Sequence, residues 1–179
     1  FNAFYGGSEA NVAVSLANLG KKVSYVTKLP ENAIAECAIN ELRKYGVNTN
    51  DIVKGGNRIG LYFCENGESQ RPAKLVYDRK DSAIAQAKRE DFNWDKIFEG
   101  ADWFHFSGIT PALSEECAQI TLDAVKTAKK KGLTVSIDLN YRETLWDAAA
   151  FSKTIRELLQ YCDIALGSME EAQMAINEN

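Results

Sequence analysis

With 179 residues, 45% of them apolar, the chain has the size of one globular domain or of part of a larger one, and it can bury a substantial core. Its formal charge of −4 and pI near 5.2 come with Lys and Arg interspersed among acids, which excludes nucleic acid and anionic membrane as partners, and no apolar run approaches the roughly 18–20 residues of a membrane span. Cys37, Cys64, Cys117 and Cys162 stand far apart without a Cys-x-x-Cys pair, which argues against a zinc site and for reduced thiols in a cytoplasmic protein.

In chain order, an aromatic start is followed by Gly6-Gly7, where the backbone can turn sharply and approach a ligand. Ser8 reads as an N-cap for a helix over residues 9–19, with Ala10, Ala13 and Ala17 as a small-residue face and Gly20 as its stop. A strand over 22–28, a helix over 32–45 closed by Gly46 and a short apolar piece at Ile52-Val53 make one βαβ-like unit. The rhythm then changes. Residues 58–65 and 73–79 are two extended runs without helices after them, which predicts an antiparallel ribbon turning at Asn66-Gly67 and leaving the main sheet as a lid or a dimerisation surface. Tyr62, Tyr77 and Arg79 lie on it; Tyr77 and Arg79, two apart, share a face. Alternation resumes with a strand at 103–106, a helix over 114–131 capped by Ser114, a strand opening after Gly132, a helix over 149–160, a strand at 163–166 and a helix opening at Ser168. This succession predicts a parallel sheet of four or five strands. The chain begins without Met at Phe1 and ends at Asn179, about two turns into its last helix, and so reads as a fragment.

Leu133, Val135 and Ile137 give the central strand, ending in Asp138, Leu139, Asn140 and Arg142. At the carboxyl end of a parallel strand these polar groups face the crevice where open α/β sheets bind ligands, and the rigid fork of Arg142 suits a carboxylate or a phosphate. An ordinary surface Arg in a strand-to-helix loop is the alternative. Likewise, Ser168-x-x-Glu171 reads either as a helix start facing phosphate and metal or as a capping box that needs no ligand. Other chemistries fall away. His105, the single histidine, sits among aromatics and reads as a core residue, and the sequence lacks the phosphate loop, the dinucleotide-binding glycine pattern and the nucleophile elbow.

Taken together and in order, GGSEANVAVSLANLG, VYDR, HFSGITPAL and DLNYRETLW make the chain resemble the ribokinase-like (PfkB) carbohydrate kinases over its whole length, and within them the 2-keto-3-deoxygluconate kinases. The resemblance implies a three-layer α/β sandwich with a mainly parallel sheet and a small β lid, whose strands would lie at about 1–5, 58–65 and 73–79. It implies transfer of a phosphoryl group from ATP, with Mg2+, to 2-keto-3-deoxygluconate at the 6-hydroxyl; a fructokinase- or ribokinase-type activity and a non-catalytic sugar-binding homologue are the alternatives. Gly7, Asn11, Tyr62, Tyr77, Arg79 and Arg142 would hold the substrate. Asn140, Arg142, Ser168 and Glu171 would face the nucleotide, and Glu171 would assist magnesium indirectly. Two arginines suit a sugar acid. The family's Gly-Ala-Gly-Asp segment, with the catalytic base, is absent from these residues, so the resemblance puts the catalytic Asp beyond Asn179. Apart from the resemblance, the ribbon's apolar strands, which leave the main sheet, are the surface through which a homo-oligomer would form.

Overall fold

The computed structural model describes residues 2–176. Five parallel strands form its framework, in two separate ladders. The first pairs β1 (Thr27–Leu29) with β2 (Ile52–Lys54), and the second runs in the order β5 (Trp103–Ser107), β6 (Thr134–Asp138), β7 (Ile164–Leu166). The parallel arrangement follows from the alternation of strand and helix, yet the expected single sheet is divided, because no backbone ladder joins β1 or β2 to β5 among the described residues. The antiparallel ribbon, β3 (Leu61–Glu65) and β4 (Lys74–Asp78), pairs with neither ladder.

Helices α1 (Ser8–Asn18), α2 (Ala33–Lys44), α5 (Glu115–Lys130), α6 (Ala148–Leu159) and α7 (Met169–Ile176) are joined by two single turns, α3 (Trp94–Ile97) and α4 (Ile109–Ala112). Asn32, Ser114 and Asp147 each accept the N–H three residues on, as N-caps do. On one face of the three-stranded ladder Val135 and Ile137 are fully buried against Phe151, Ile155 and Leu158 of α6 and Val125 of α5. Each such side chain contributes about 1.5–3 kcal/mol when removed from water, so this face fixes where the carboxyl end of β6 points.

Four further expectations are corrected. Ser8 is the first residue of α1, not its cap; Gly7 takes the cap position without a side-chain bond, since the Ser8 hydroxyl donates to Glu9 instead. The strand over 22–28 shortens to β1 plus one bridge between Ser24 and Asn48, because Thr49–Asp51 form a turn, closed by Ile52 N–H on Thr49 O, that interrupts the ladder. The ribbon turns at its tip between Glu68 and Arg71, with Ser69 at positive φ, and not at Asn66-Gly67. A Cβ on Gly67 would overlap the Arg71 carbonyl, so that glycine serves close packing. Finally, residues 2–5 pair with no strand, Phe4 standing 84% exposed. Phe1, expected in the first lid strand, and Asn179, past which the catalytic Asp is expected, both lie outside the described residues.

Candidate active site

The carboxyl ends of β5 and β6 are locked together. Gly108 N–H donates to Asp138 O at 2.8 Å, and a Cβ on Gly108 would overlap the Leu139 carbonyl oxygen. Only glycine permits this approach. Beyond it the chain turns through Asn140, at φ 43°, whose side-chain N–H donates to Asp138 Oδ2 at 3.2 Å while its Oδ1 is buried without a partner. Burial raises the Asp138 carboxyl above its ordinary value and Glu171 adds to this, while His105, Asn140 and Arg142 oppose it.

Arg142 follows in the same loop, exposed, with one N–H on the Tyr141 carbonyl at 2.7 Å. From the other side the ribbon brings Arg79, just beyond β4, whose guanidinium lies over the Tyr77 ring at 4.1 Å from its centroid. Tyr62 faces Tyr77 directly across the ladder, ring centroids 6.1 Å apart. Burial pushes the Arg79 guanidinium below its ordinary value; Tyr77 opposes this, Arg142 adds to it and Glu9 opposes it. Arg79 Nη1 is buried and has no hydrogen-bond partner. Tyr77 and Arg79 line a cleft of 710 Å3 whose opposite wall includes Ala112, Leu113, Thr144 and Leu145.

Gly7 and Asn11 sit at the start of α1, with Asn11 exposed and its N–H on Gly7 O at 2.8 Å. Glu9 between them escaped notice in the sequence, where it reads as an acid in a first helical turn. Its Oε1 accepts from Ser107 Oγ at 2.6 Å and Thr110 Oγ1 at 3.2 Å. The available signal was the pairing of Glu9 with hydroxyl-bearing Ser107 and Thr110 in two of the ordered motifs. A second unread feature braces the ribbon's base, where Arg58 forks onto Asp78 at 2.8 and 2.5 Å.

Ser168 and Glu171 do form a capping box, Glu171 Oε2 accepting from Ser168 N–H at 2.7 Å and Ser168 Oγ accepting from Glu171 N–H at 3.2 Å. The other carboxylate oxygen accepts from Tyr141 N–H at 2.7 Å, so Glu171 ties α7 to the loop that carries Arg142. With both oxygens engaged by amides, Glu171 does not fit as a direct magnesium ligand, and the described residues hold no group of three or more His, Cys, Asp or Glu arranged for a metal. His105, expected in the core, is half-buried: its Nδ1 shares a 2.8 Å hydrogen bond with Ser136, and its ring stands close enough to the Asp138 carboxyl to oppose that group's upward shift.

The comparisons with known proteins agree on one family. Residues 1–179 match the pfkB family of carbohydrate kinases. A crystal structure of 2-dehydro-3-deoxygluconokinase from Thermotoga maritima is 52% identical, with a TM-score of 0.95 over 98% of this chain and 54% of that one. An uncharacterized sugar kinase from Pyrococcus horikoshii, solved in complex with ATP, is 28% identical, with a TM-score of 0.82 over 95% of this chain and 55% of that one. Among curated proteins, the 2-dehydro-3-deoxygalactonokinase of Haloferax volcanii is 34% identical over 95% of this chain and 53% of its own length. The chain thus spans about half the length of the relatives it matches, and its architecture is the ribokinase-like α/β sandwich with a small lid. Parallel ladders ending in an arginine loop, a detached ribbon and a match running from the first residue to the last place the chain in the pfkB family of carbohydrate kinases.

Proposed function

We propose that this chain carries the sugar side of an ATP-dependent kinase for a keto-deoxy sugar acid, 2-keto-3-deoxygluconate being the substrate of choice. The observation that carries the reading is the buried, unpartnered Nη1 of Arg79 on the wall of the 710 Å3 cleft. An N–H of a half-buried guanidinium left without a partner is costly, and an anion reaching it would relieve that cost. Glu9 does not fill that place, since its oxygens are taken by hydroxyls. A carboxylate on the ligand would accept from both forks, while a neutral hexose would leave them unpaired. The relatives named for 2-dehydro-3-deoxygluconate and 2-dehydro-3-deoxygalactonate point the same way.

In this reading Gly7 and Asn11 meet the sugar hydroxyls, Tyr62 and Tyr77 close over it from the ribbon, and Arg79 and Arg142 orient its carboxylate. Asn140 and Arg142 face the nucleotide phosphates, with Ser168 and Glu171 holding that loop in place. ATP supplies the phosphoryl group, and the base that takes the proton of the attacking hydroxyl comes from the part of the relatives that this chain does not span, past the position of Asn179. Positioning alone supplies part of the rate enhancement; the base supplies the rest. Mg2+ bound with the nucleotide would neutralise charge on its phosphates, and Glu171 would assist it only indirectly, through the loop it holds. The outer face of the ribbon, with Leu61, Phe63 and Val76 half exposed, is proposed to pair with a second copy of the chain. The four cysteines are free, which suits a cytoplasmic setting. No helix among the described residues is long and apolar enough to cross a membrane.

The test is a coupled ATP assay of the full-length protein against 2-keto-3-deoxygluconate, fructose and ribose. The sugar acid is expected to lead in kcat/KM by about tenfold or more, the value of one charged hydrogen bond. Equal kcat/KM for a neutral sugar overturns the reading.

A further inference from the structure

We propose that Glu9 is a positioning residue for the sugar: its carboxylate ties the start of α1 to the turn between β5 and α4 and so fixes where Gly7 and Asn11 stand. The proposal rests on the reading of those two residues as the sugar's hydroxyl contacts, and deepens it.

Oε1 of Glu9 gathers three donors, Ser107 Oγ–H at 2.6 Å, Ser107 N–H at 3.3 Å and Thr110 Oγ1–H at 3.2 Å, while Oε2 accepts from Ser8 at 2.6 Å. The two distant partners are 98 and 101 residues along the chain. An acid in a first helical turn ordinarily favours the dipole or caps its own amides. Here one carboxylate oxygen takes the Ser8 hydroxyl of its own helix, which has no side-chain cap, while the other reaches a different element. Ser107 is 1% exposed and its hydroxyl also accepts Ile109 N–H at 3.2 Å, so the anchor is itself held at the start of α4. The next residue, Gly108, is bonded to Asp138 at the end of β6, and from there the chain runs directly to Arg142. Two hydrogen bonds, Ser107 to Glu9 and Gly108 to Asp138, linked by short stretches of chain, therefore join the helix start bearing Gly7 and Asn11 to the loop bearing Arg142. With three donors gathered on Oε1 and one on Oε2, the Glu9 carboxylate is held by its neighbours, and it acts through them.

The experiment compares Glu9→Ala, Glu9→Gln and Thr110→Val in the full-length protein. Glu9→Ala is expected to raise the KM for the sugar acid about tenfold with the KM for ATP held within about twofold, the signature of lost positioning and not of general damage. Glu9→Gln keeps an acceptor at Oε1 and recovers most of the loss, and Thr110→Val shows a smaller change in the same direction. Hydrogen exchange of the amides over residues 9–13 reads the tie without any substrate: faster exchange there in Glu9→Ala, with α2 unchanged, supports the proposal. Equal rises in both KM values, an unchanged sugar KM, or unchanged exchange overturns it. If Glu9→Ala does not fold, Thr110→Val decides by the same readouts. Absence of turnover in the wild-type protein sinks the proposed function alone, while the exchange measurement still decides the role of Glu9.

Discussion

Removing the Arg79 side chain should separate function from stability. Four contributions act on this guanidinium in the folded protein: the Tyr77 ring beneath it at 4.1 Å, burial that leaves Nη1 without a partner, the like charge of Arg142 and the opposite charge of Glu9. The ring contact is worth about 0.5–2 kcal/mol. Desolvation and repulsion oppose it on a similar scale, so Arg79→Ala should change folding stability by less than about 1 kcal/mol in the absence of ligand. Binding is another matter. A charge-assisted hydrogen bond to a carboxylate contributes about 1.5–3 kcal/mol, roughly 10–150-fold in affinity, and this should be lost for sugar acids and scarcely altered for neutral sugars. Thermal melting of the ligand-free full-length protein measures the first quantity, and calorimetric titration with a sugar acid and a neutral sugar measures the second. A loss of stability above about 2 kcal/mol, or equal weakening towards both sugars, would show Arg79 to be a structural group and refute the anion site.

Glu171→Ala should destabilise the fold by about 1.5–3 kcal/mol in all, because Tyr141 N–H loses a charged acceptor while the Ser168 amide regains water and Asp138 is relieved of a neighbouring charge; denaturant unfolding checks this, and a change below about 0.5 kcal/mol would contradict the tie between α7 and the arginine loop. At Asp91 burial pushes the carboxyl upward, but Lys28 at 2.6 Å and the Lys88 N–H at 2.7 Å outweigh it and hold the group below its ordinary value. The resulting stability is present above about pH 4 and drains away as pH falls through the depressed folded-state value. Asp91→Asn should therefore cost stability at pH 7, and its gap to the wild type should narrow at pH 3; a gap of constant size across that range would count against the pairing.

Much of the scaffold was legible in the residues because its signals are local. Asn32 and Ser114 announce the helices they cap, and Val135 and Ile137 between Gly132 and Asp138 announce a buried strand. The alternation of strand and helix gives the parallel pairing without further information. What the residues did not disclose depends on contacts between distant segments. Whether 22–28 pairs along its whole length is decided by the turn at Thr49–Asp51 on the partner, and where the ribbon turns is decided by the approach of Arg71 to Gly67. In the site, the residues brought together by the resemblance at Tyr62, Tyr77 and Arg79 do share a face. Glu9 stayed hidden because its partners lie about a hundred residues away, and the double attachment of Glu171 because a capping box gives no sign of the third amide at Tyr141.

The bond from Glu9 to Ser107, 98 residues later, also bears on when a ligand can first be held during synthesis. Contacts between such remote segments form only after the intervening chain has been laid down, and closing so long a loop is slow. A ribosome-bound chain that has not yet released β5 therefore presents the start of α1 without the anchor that orients it, and should pass sugar by. Ligand capture then becomes a marker that the middle of the polypeptide has finished folding.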